Sequence, residues 1–225
     1  MLKRSLDSIA RGALAASFIV LLAGAAHADS LLVGNLAEPV RAATPIGNPQ
    51  YFAAQSFAVD ASYDLTTIIT LMGNAVGADA VVELRSSDAL GEIDLSASGL
   101  LTSFAVPDLT GPAATRSFTP NGAVQLSAGV QYWFVVGVNS GGLDWFYADS
   151  NNYAGPGAIL TFADSSDAGA TWIYGSDFPF FIEVRGDAVP EPAPMLLLAL
   201  GLGGLLWCGH RGDVGRSHRH AGIAR

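Results

Sequence analysis

Residues 131–148 read QYWFVVGVNSGGLDWFYA, two β-rich runs around a short segment that contains glycine. Successive side chains of a β-strand point to opposite faces. In the first run, Trp133 and Val135 therefore lie on one face, and Tyr132, Phe134 and Val136 lie on the other. Because both faces are apolar, this run is predicted to be a central strand that is buried on both sides.

The segment between the two runs is Asn139-Ser140-Gly141-Gly142. Glycine supplies the positive φ that a tight connection requires, so we predict a β-hairpin made of the two runs. In the second run, Trp145 and Tyr147 share one face, and Asp144 and Phe146 share the other.

Short apolar runs separated by turn-forming residues continue on both sides of this unit. Gly73-Asn74 is one predicted turn. Helical periodicity is absent from the sequence between residues 29 and 189. The pattern predicts one all-β domain, an antiparallel and jelly-roll-like β-sandwich. Its predicted strands are 50–59, 63–72, 80–86, 99–106, 114–119, 130–138, 143–148, 158–162, 170–174 and 178–185.

The N-terminus has the three parts of a secretory signal peptide. A basic start precedes an apolar run, and small residues, Ala26 and Ala28, stand at positions −3 and −1 of a cut before Asp29. We therefore predict a signal helix in residues 1–28 that signal peptidase removes. The exported domain is then residues 29–186.

Charge and composition argue against several classes of function for this domain. Residues 29–189 contain four arginines and seventeen acidic residues, a net charge of −13, so nucleic acid is not an expected partner. Histidine, cysteine and lysine do not occur between residues 29 and 189. Nucleophilic triads and the usual zinc sites depend on those residues, and we therefore expect a protein that is not an enzyme and needs no cofactor.

The C-terminus combines a proline-rich linker, 187–194, with an apolar run, 195–208, and a basic tail that ends at residue 225. As a helix, the fourteen residues of the run would be about 21 Å long, which is shorter than the roughly 30 Å hydrocarbon core of a membrane. The run is predicted to be a transient transmembrane anchor in the inner membrane, with the basic tail on the cytoplasmic side.

Pro190-Glu191-Pro192, the apolar run and the basic end together resemble the PEP-CTERM sorting signal of exported proteins in Gram-negative bacteria that make exopolysaccharide. The resemblance implies that an exosortase recognises Pro190, Glu191 and Pro192. It also implies delivery to the cell surface or the extracellular matrix after processing.

The domain before this tail also resembles a known family. NPQYFAAQSFAVDASYDLTTIITLMG (48–73) and SSDAGATWIYGSDFPFFIEVRG (165–186) look like the first and last strands of the choice-of-anchor R domain. The resemblance implies an exported β-sandwich of uncharacterised function, and it carries no catalytic residues.

Carboxylates are the main side chains of the domain that could catalyse a reaction or bind a metal ion. Paired acids could hydrolyse a glycoside, although no spacing selects a pair, and aspartate is common in turns for structural reasons. Asp149, Asp164 and Asp167 lie in oxygen-rich segments that could bind calcium, but the same turn chemistry also explains them. The hydrolase candidates are Asp144, Asp149, Asp164, Asp167 and Glu183.

Aromatic residues offer a different chemistry, because flat rings can stack on sugars. We expect Trp133, Trp145 and Trp172 to belong to the core and Tyr147 and Tyr153 to contact a glycan. The first functional hypothesis is a non-enzymatic surface or matrix protein that is associated with exopolysaccharide. The alternative is a carbohydrate-binding module that calcium assists.

Overall fold

The computed structural model describes residues 29–47 and 50–190. The chain divides into two units, Met1–Ala188 and Val189–Arg225. The predicted signal helix and the apolar run 195–208 lie outside the described residues. Among the residues that are described, no helix is long and apolar enough to cross a membrane.

The described residues form β-strands and one short 3₁₀ turn at Ala97–Gly99, and every named strand pair is antiparallel. The all-β antiparallel prediction is therefore confirmed. The strands are β1 (Ser30–Gly34), β2 (Val40–Gly47), β3 (Phe52–Ala58), β4 (Tyr63–Ser86), β5 (Leu100–Ala105), β6 (Ala114–Pro120), β7 (Gln125–Leu126), β8 (Gln131–Ala148), β9 (Ala158–Ser165), β10 (Ile173–Gly175) and β11 (Ile182–Ala188).

Two long strands, β4 and β8, organise the sheet, whose order is β1-β11-β4-β8-β3-β9-β10. The first part of β4 lies between β11 and β6, and its last part pairs with β8 and β5. The first half of β8 lies between β3 and β4, whereas its second half pairs with β2 and, at residues 142–145, with an earlier part of β4. Each long strand thus contributes to two different parts of the domain.

The predicted hairpin is wrong. Strand β8 is continuous through residues 139–142, and its two halves pair with other strands instead of with each other. The predicted turn at Gly73-Asn74 is also wrong, because β4 runs through it. The two segments lie opposite each other, with Gly73 facing Asp144 across a ladder that shifts register repeatedly as far as Ala80.

The glycines at positions 77 and 141 lie in bulged strands, although we predicted a hairpin turn around Gly141. Gly77 and Gly141 have φ angles of +58° and +71°, within two paired strands that bulge. Glycine-containing bulges of this kind need the same left-handed conformation that a tight turn needs. A Cβ atom at Gly141 would also collide with the carbonyl oxygen of Gly77. The glycines therefore let two strands bulge and remain in contact.

The prediction of a strand buried on both faces is confirmed for the first half of β8, in which residues 132–138 are all buried. One face, with Phe134 at its centre, belongs to the main hydrophobic core. The other face places Trp133 and Val135 in a second, smaller cluster. Trp172 is half-buried and packs against that second cluster.

Strands β1, β2 and β7 were not predicted from the sequence. Strand β1 begins at Ser30, one residue after the predicted cleavage position, and pairs with the last strand, β11. Ser30 lies opposite Gly186, so the two ends of the exported domain lie side by side in the sheet.

Candidate functional site

Two cavities in the described part of the chain could receive a ligand. The larger, of about 370 Å³, lies beside the bulged part of β4 and the segment 106–110. Its two carboxylates already accept hydrogen bonds. Asn139 donates to Asp79 at 3.2 Å, and the Thr110 hydroxyl donates to Asp108 at 2.7 Å. Both carboxylates of this cavity are therefore already hydrogen-bonded to the protein itself.

The smaller cavity, of about 220 Å³, is called the aromatic pocket below. It brings together Tyr147, a predicted glycan contact, and Asp164, a candidate for calcium binding and for hydrolysis. Three phenylalanines, a threonine and a second aspartate complete its wall, and none of these five was predicted from the sequence as a site residue. The pocket is lined by Thr44, Tyr147, Phe162, Asp164, Asp177, Phe178 and Phe180.

Phe180 is the aromatic centre of this pocket and is only 3% exposed. Its ring stacks on Trp145 with centroids 4.4 Å apart and planes inclined by 21°. Tyr147 and Phe162 meet the same ring edge-on, at 6.3 Å and 6.0 Å. Such offset-stacked and edge-on contacts are favourable aromatic geometries, so they fix the orientation of the rings.

Two buried amides hold the backbone of Phe180. The Phe180 N–H donates to the side-chain oxygen of Gln55 at 2.9 Å, and the Asn35 side-chain amide donates to the Phe180 carbonyl at 3.2 Å. Asn35 in turn accepts from the Ile182 N–H at 2.8 Å. Buried polar groups need such partners, and these bonds anchor the segment that carries Phe180.

Sequence reasoning missed both amides, although a signal was present. Gln55 interrupts an apolar strand run, FAAQSFA, and Asn35 directly follows the buried residues at the end of β1. A polar side chain at a core position usually has a specific hydrogen-bonding task.

The rim of the pocket is formed by Phe178, whose φ angle is +59°. This conformation is an outlier for a bulky residue, and such strain costs on the order of 1–3 kcal/mol. The guanidinium of Arg41 lies 3.6 Å from the centre of the Phe178 ring and also pairs with Asp149 at 3.1 Å. The cation therefore supports the ring at the rim.

Asp164 brings a half-buried carboxylate to the pocket. Its Oδ1 atom is buried and has no hydrogen-bond partner. Burial raises the pKa of Asp164, and a hydrogen bond from Tyr51 offsets part of that rise. Burial, followed by the charge of Asp164, raises the pKa of Tyr51. Asp177, the second carboxylate of the lining, is exposed.

The other calcium candidates serve local structure. Asp149 pairs with Arg41, as described above. Asp167 accepts hydrogen bonds from the Thr171 hydroxyl and backbone and from the Ser165 hydroxyl, and these bonds lower the pKa of Asp167 to about 2. Nowhere in residues 29–47 or 50–190 do three acidic, histidine or cysteine side chains gather as a metal site would require.

The remaining hydrolase candidates are also bonded elsewhere. Asn74 donates to Asp144 at 2.8 Å, and Arg185 donates to Glu183 at 2.6 Å. Of the acids that the sequence analysis singled out, Asp164 alone lines the aromatic pocket, and its neighbour in the lining is the unpredicted Asp177.

The aromatic residues that were predicted for the core and for glycan contact differ in their burial. Trp133 and Trp145 are fully buried, as expected for core residues. Tyr147 is half-buried in the pocket lining, whereas Tyr153 is 45% exposed and does not line the pocket. Glycan contact by either tyrosine stays a prediction.

At the end of the domain, β11 stops at Ala188, and Pro190 is exposed. Glu191 and Pro192, as well as Ala26 and Ala28, lie outside the described residues. Residues 188–211 match the family model of the PEP-CTERM protein-sorting motif. The predicted sorting signal is thereby confirmed. Such a motif implies an extracellular protein that an exosortase sorts.

The match covers the C-terminal segment and leaves the domain before it unassigned. A search of curated proteins finds no match for the chain. The choice-of-anchor R resemblance of residues 48–73 and 165–186 stays a prediction.

Proposed function

We propose that this chain is a non-enzymatic protein that is exported through the inner membrane of a Gram-negative bacterium and sorted by an exosortase to the cell surface or extracellular matrix. The sorting motif at residues 188–211 is the observation that carries this proposal. Signal peptidase cuts after Ala28, the apolar run 195–208 anchors the chain transiently, and the exosortase then acts at Pro190–Pro192.

The end of the domain supports this order of events. The matched motif begins at the last residue of β11, so no strand of the domain contains Pro190. Because Pro190 is exposed, an enzyme can approach this part of the linker without opening the sheet. Processing would thus leave a folded domain behind.

The domain itself is proposed to be a jelly-roll-like β-sandwich that associates with exopolysaccharide. Support for the sandwich comes from β4 and β8, which continue from one set of partner strands to another, and from the large core that they share. The net charge of −13 over residues 29–189 keeps the exported domain soluble, and a core without cysteine depends on burial for its stability.

A carbohydrate-binding module is the second candidate function, and the aromatic pocket favours it. Rings flank two carboxylates there, and carboxylates are strong acceptors for the hydroxyl groups of a sugar. We propose that neither function needs a cofactor, and calcium addition is the appropriate control in any binding measurement.

Sorting can be tested in the producing cell with a triple variant, Pro190→Ala, Glu191→Ala and Pro192→Ala. Its matched control is Pro194→Ala, which changes a proline of the same linker outside the motif. We expect wild type and control to reach the surface or medium without their C-terminal tail, and the triple variant to keep its tail in the inner membrane. Release of the triple variant at the wild-type level would contradict the proposal.

A further inference from the structure

We propose that the aromatic pocket binds a positively charged amino sugar, with the ammonium group at Asp164 and the apolar face of the sugar ring against the surrounding aromatic rings. The inference rests on the carbohydrate-binding function proposed above and specifies its ligand class.

The charge of the pocket favours a cation. Asp164 and Asp177 both line it, and the lining contains no basic residue. Arg41 contacts the rim residue Phe178, but it is already paired with Asp149. An anionic ligand would meet two carboxylates inside a strongly acidic domain, whereas an ammonium group would be attracted.

The carboxylate of Asp164 points to the position of the ammonium, because it lines the pocket and is less exposed than Asp177. Water screens a half-buried carboxylate less than an exposed one, so an ion pair at Asp164 is the stronger of the two. A sugar hydroxyl would donate a hydrogen bond to this carboxylate. An ammonium group would satisfy the bond and also neutralise the carboxylate charge, which makes it the stronger partner.

The rings determine which kind of amine fits. The rings of Tyr147, Phe162, Phe178 and Phe180 all line the pocket, and aromatic faces attract both apolar C–H surfaces and cations. The volume of about 220 Å³ is below the roughly 300–1,000 Å³ of typical sites for drug-sized ligands. The pocket therefore suits one sugar unit, such as the end of a chain.

The pocket is also rigid at its centre. The side chains of Gln55 and Asn35 fix the Phe180 backbone, and Trp145 stacks on its ring. Because the wall is already ordered, little freedom is lost when a ligand binds. A small sugar can then bind measurably despite its few contacts.

The test is a titration of the purified exported protein with glucosamine, N-acetylglucosamine, glucose and ethanolamine at pH 7, followed by calorimetry or NMR. We expect glucosamine to bind at least about tenfold more tightly than the other three ligands, because it alone combines the ring and the charge. Asp164→Asn should reduce glucosamine affinity by about tenfold and remove the preference over glucose.

Asp79→Asn is the matched control. It makes the same charge change in the larger cavity and should leave the preference intact. A second variant, Tyr147→Leu, should weaken glucosamine and N-acetylglucosamine binding by the same factor, since it removes a ring and leaves the carboxylate. Near-ultraviolet circular dichroism establishes that each variant is folded before it is titrated.

The outcomes separate this inference from the functions on which it depends. Equal affinity for glucosamine and glucose would overturn the amine inference and leave carbohydrate binding in place. Equal affinity for glucosamine and ethanolamine would overturn the role of the sugar ring. If none of the sugars bound at millimolar concentration, the pocket would not be a sugar site, while the sorting function would be unaffected.

Discussion

The two halves of β8 differ in how many faces they bury. Residues 132–138 are buried throughout, because β3 and β4 flank them and apolar clusters cover both faces. In the second half, Leu143 and Trp145 are buried, whereas Asp144 and Phe146 are only half-buried. Tyr147 lines the aromatic pocket.

This difference shows that one half of β8 contributes mainly to stability and the other half to the pocket. The first half contributes to the core on both faces and leaves no side chain free for a ligand. The second half buries Trp145 beneath the pocket and places Tyr147 at its wall. Substitutions in the two halves should therefore separate stability from binding.

The largest expected effect is that of Phe134→Ala in the first half. The Phe134 ring packs edge-on against Phe104, Phe118 and Trp145 at 5.3–5.8 Å. Its removal leaves a cavity, so the free energy of unfolding should fall by about 3–5 kcal/mol. Tyr147→Ala, in the second half, should cost about 1 kcal/mol because the side chain is only half-buried. Urea unfolding measures both values. Equal decreases in the free energy of unfolding would contradict the different roles of the two halves.

The junction between the halves provides the next test. Gly141→Ala should lower the free energy of unfolding by about 3 kcal/mol, since the new methyl group adds a collision with Gly77 to an unfavourable φ. Gly129→Ala is a matched control, because Gly129 has a φ of +70° and open space around it. Its cost should be about 1 kcal/mol.

The same urea experiment distinguishes the observed bulge from the predicted hairpin. In a hairpin turn, Gly141 would need only its positive φ, and the two alanine variants would be equally destabilised. A clear excess for Gly141→Ala supports the close contact of two continuous strands.

The smallest expected effects concern the pH dependence of stability, through Asp164 near the end of β9 and Asp167 just after it. Burial raises the pKa of Asp164, so the native state binds more protons than the unfolded state above the ordinary aspartate pKa of about 3.9. The Asp164 contribution to stability therefore falls as pH rises through its native pKa. Asp164→Asn should remove that fall and stabilise the protein slightly at pH 7.

Asp167 should show the opposite sign. Hydrogen bonds lower its pKa to about 2, so its contribution is complete above about pH 4 and is lost as pH falls towards 2. Asp167→Asn should destabilise the protein slightly at neutral pH and make little difference near pH 2. Thermal unfolding measured from pH 2 to pH 7 compares the two variants, and parallel profiles would contradict these assignments.

The sequence identifies strands better than it identifies their connections. Alternation located the buried half of β8, because the position of an apolar side chain along a strand decides the face that it joins. The connection at residues 139–142 was misread, because glycine with positive φ serves turns and bulges alike. Only the pairing with β4, more than fifty residues away in sequence, decides between them.

The pocket was predicted only in part for a related reason. Tyr147 and Asp164 can each be picked from the sequence alone, Tyr147 as a possible glycan contact and Asp164 as a possible metal ligand or catalytic acid. Phe178 and Phe180 join them through a loop whose course depends on Asn35 and Gln55, which are distant in sequence. The sorting signal, in contrast, is contiguous, and its recognition needs no folding.

The most direct test of the account is the intact mass of the native protein in fractions of the producing cell. We predict a species in the surface or medium fraction that begins at Asp29 and ends within Pro190–Pro192. A stable species in the inner membrane that retains the tail to Arg225 would contradict exosortase sorting, and the C-terminal segment would then serve as a permanent anchor.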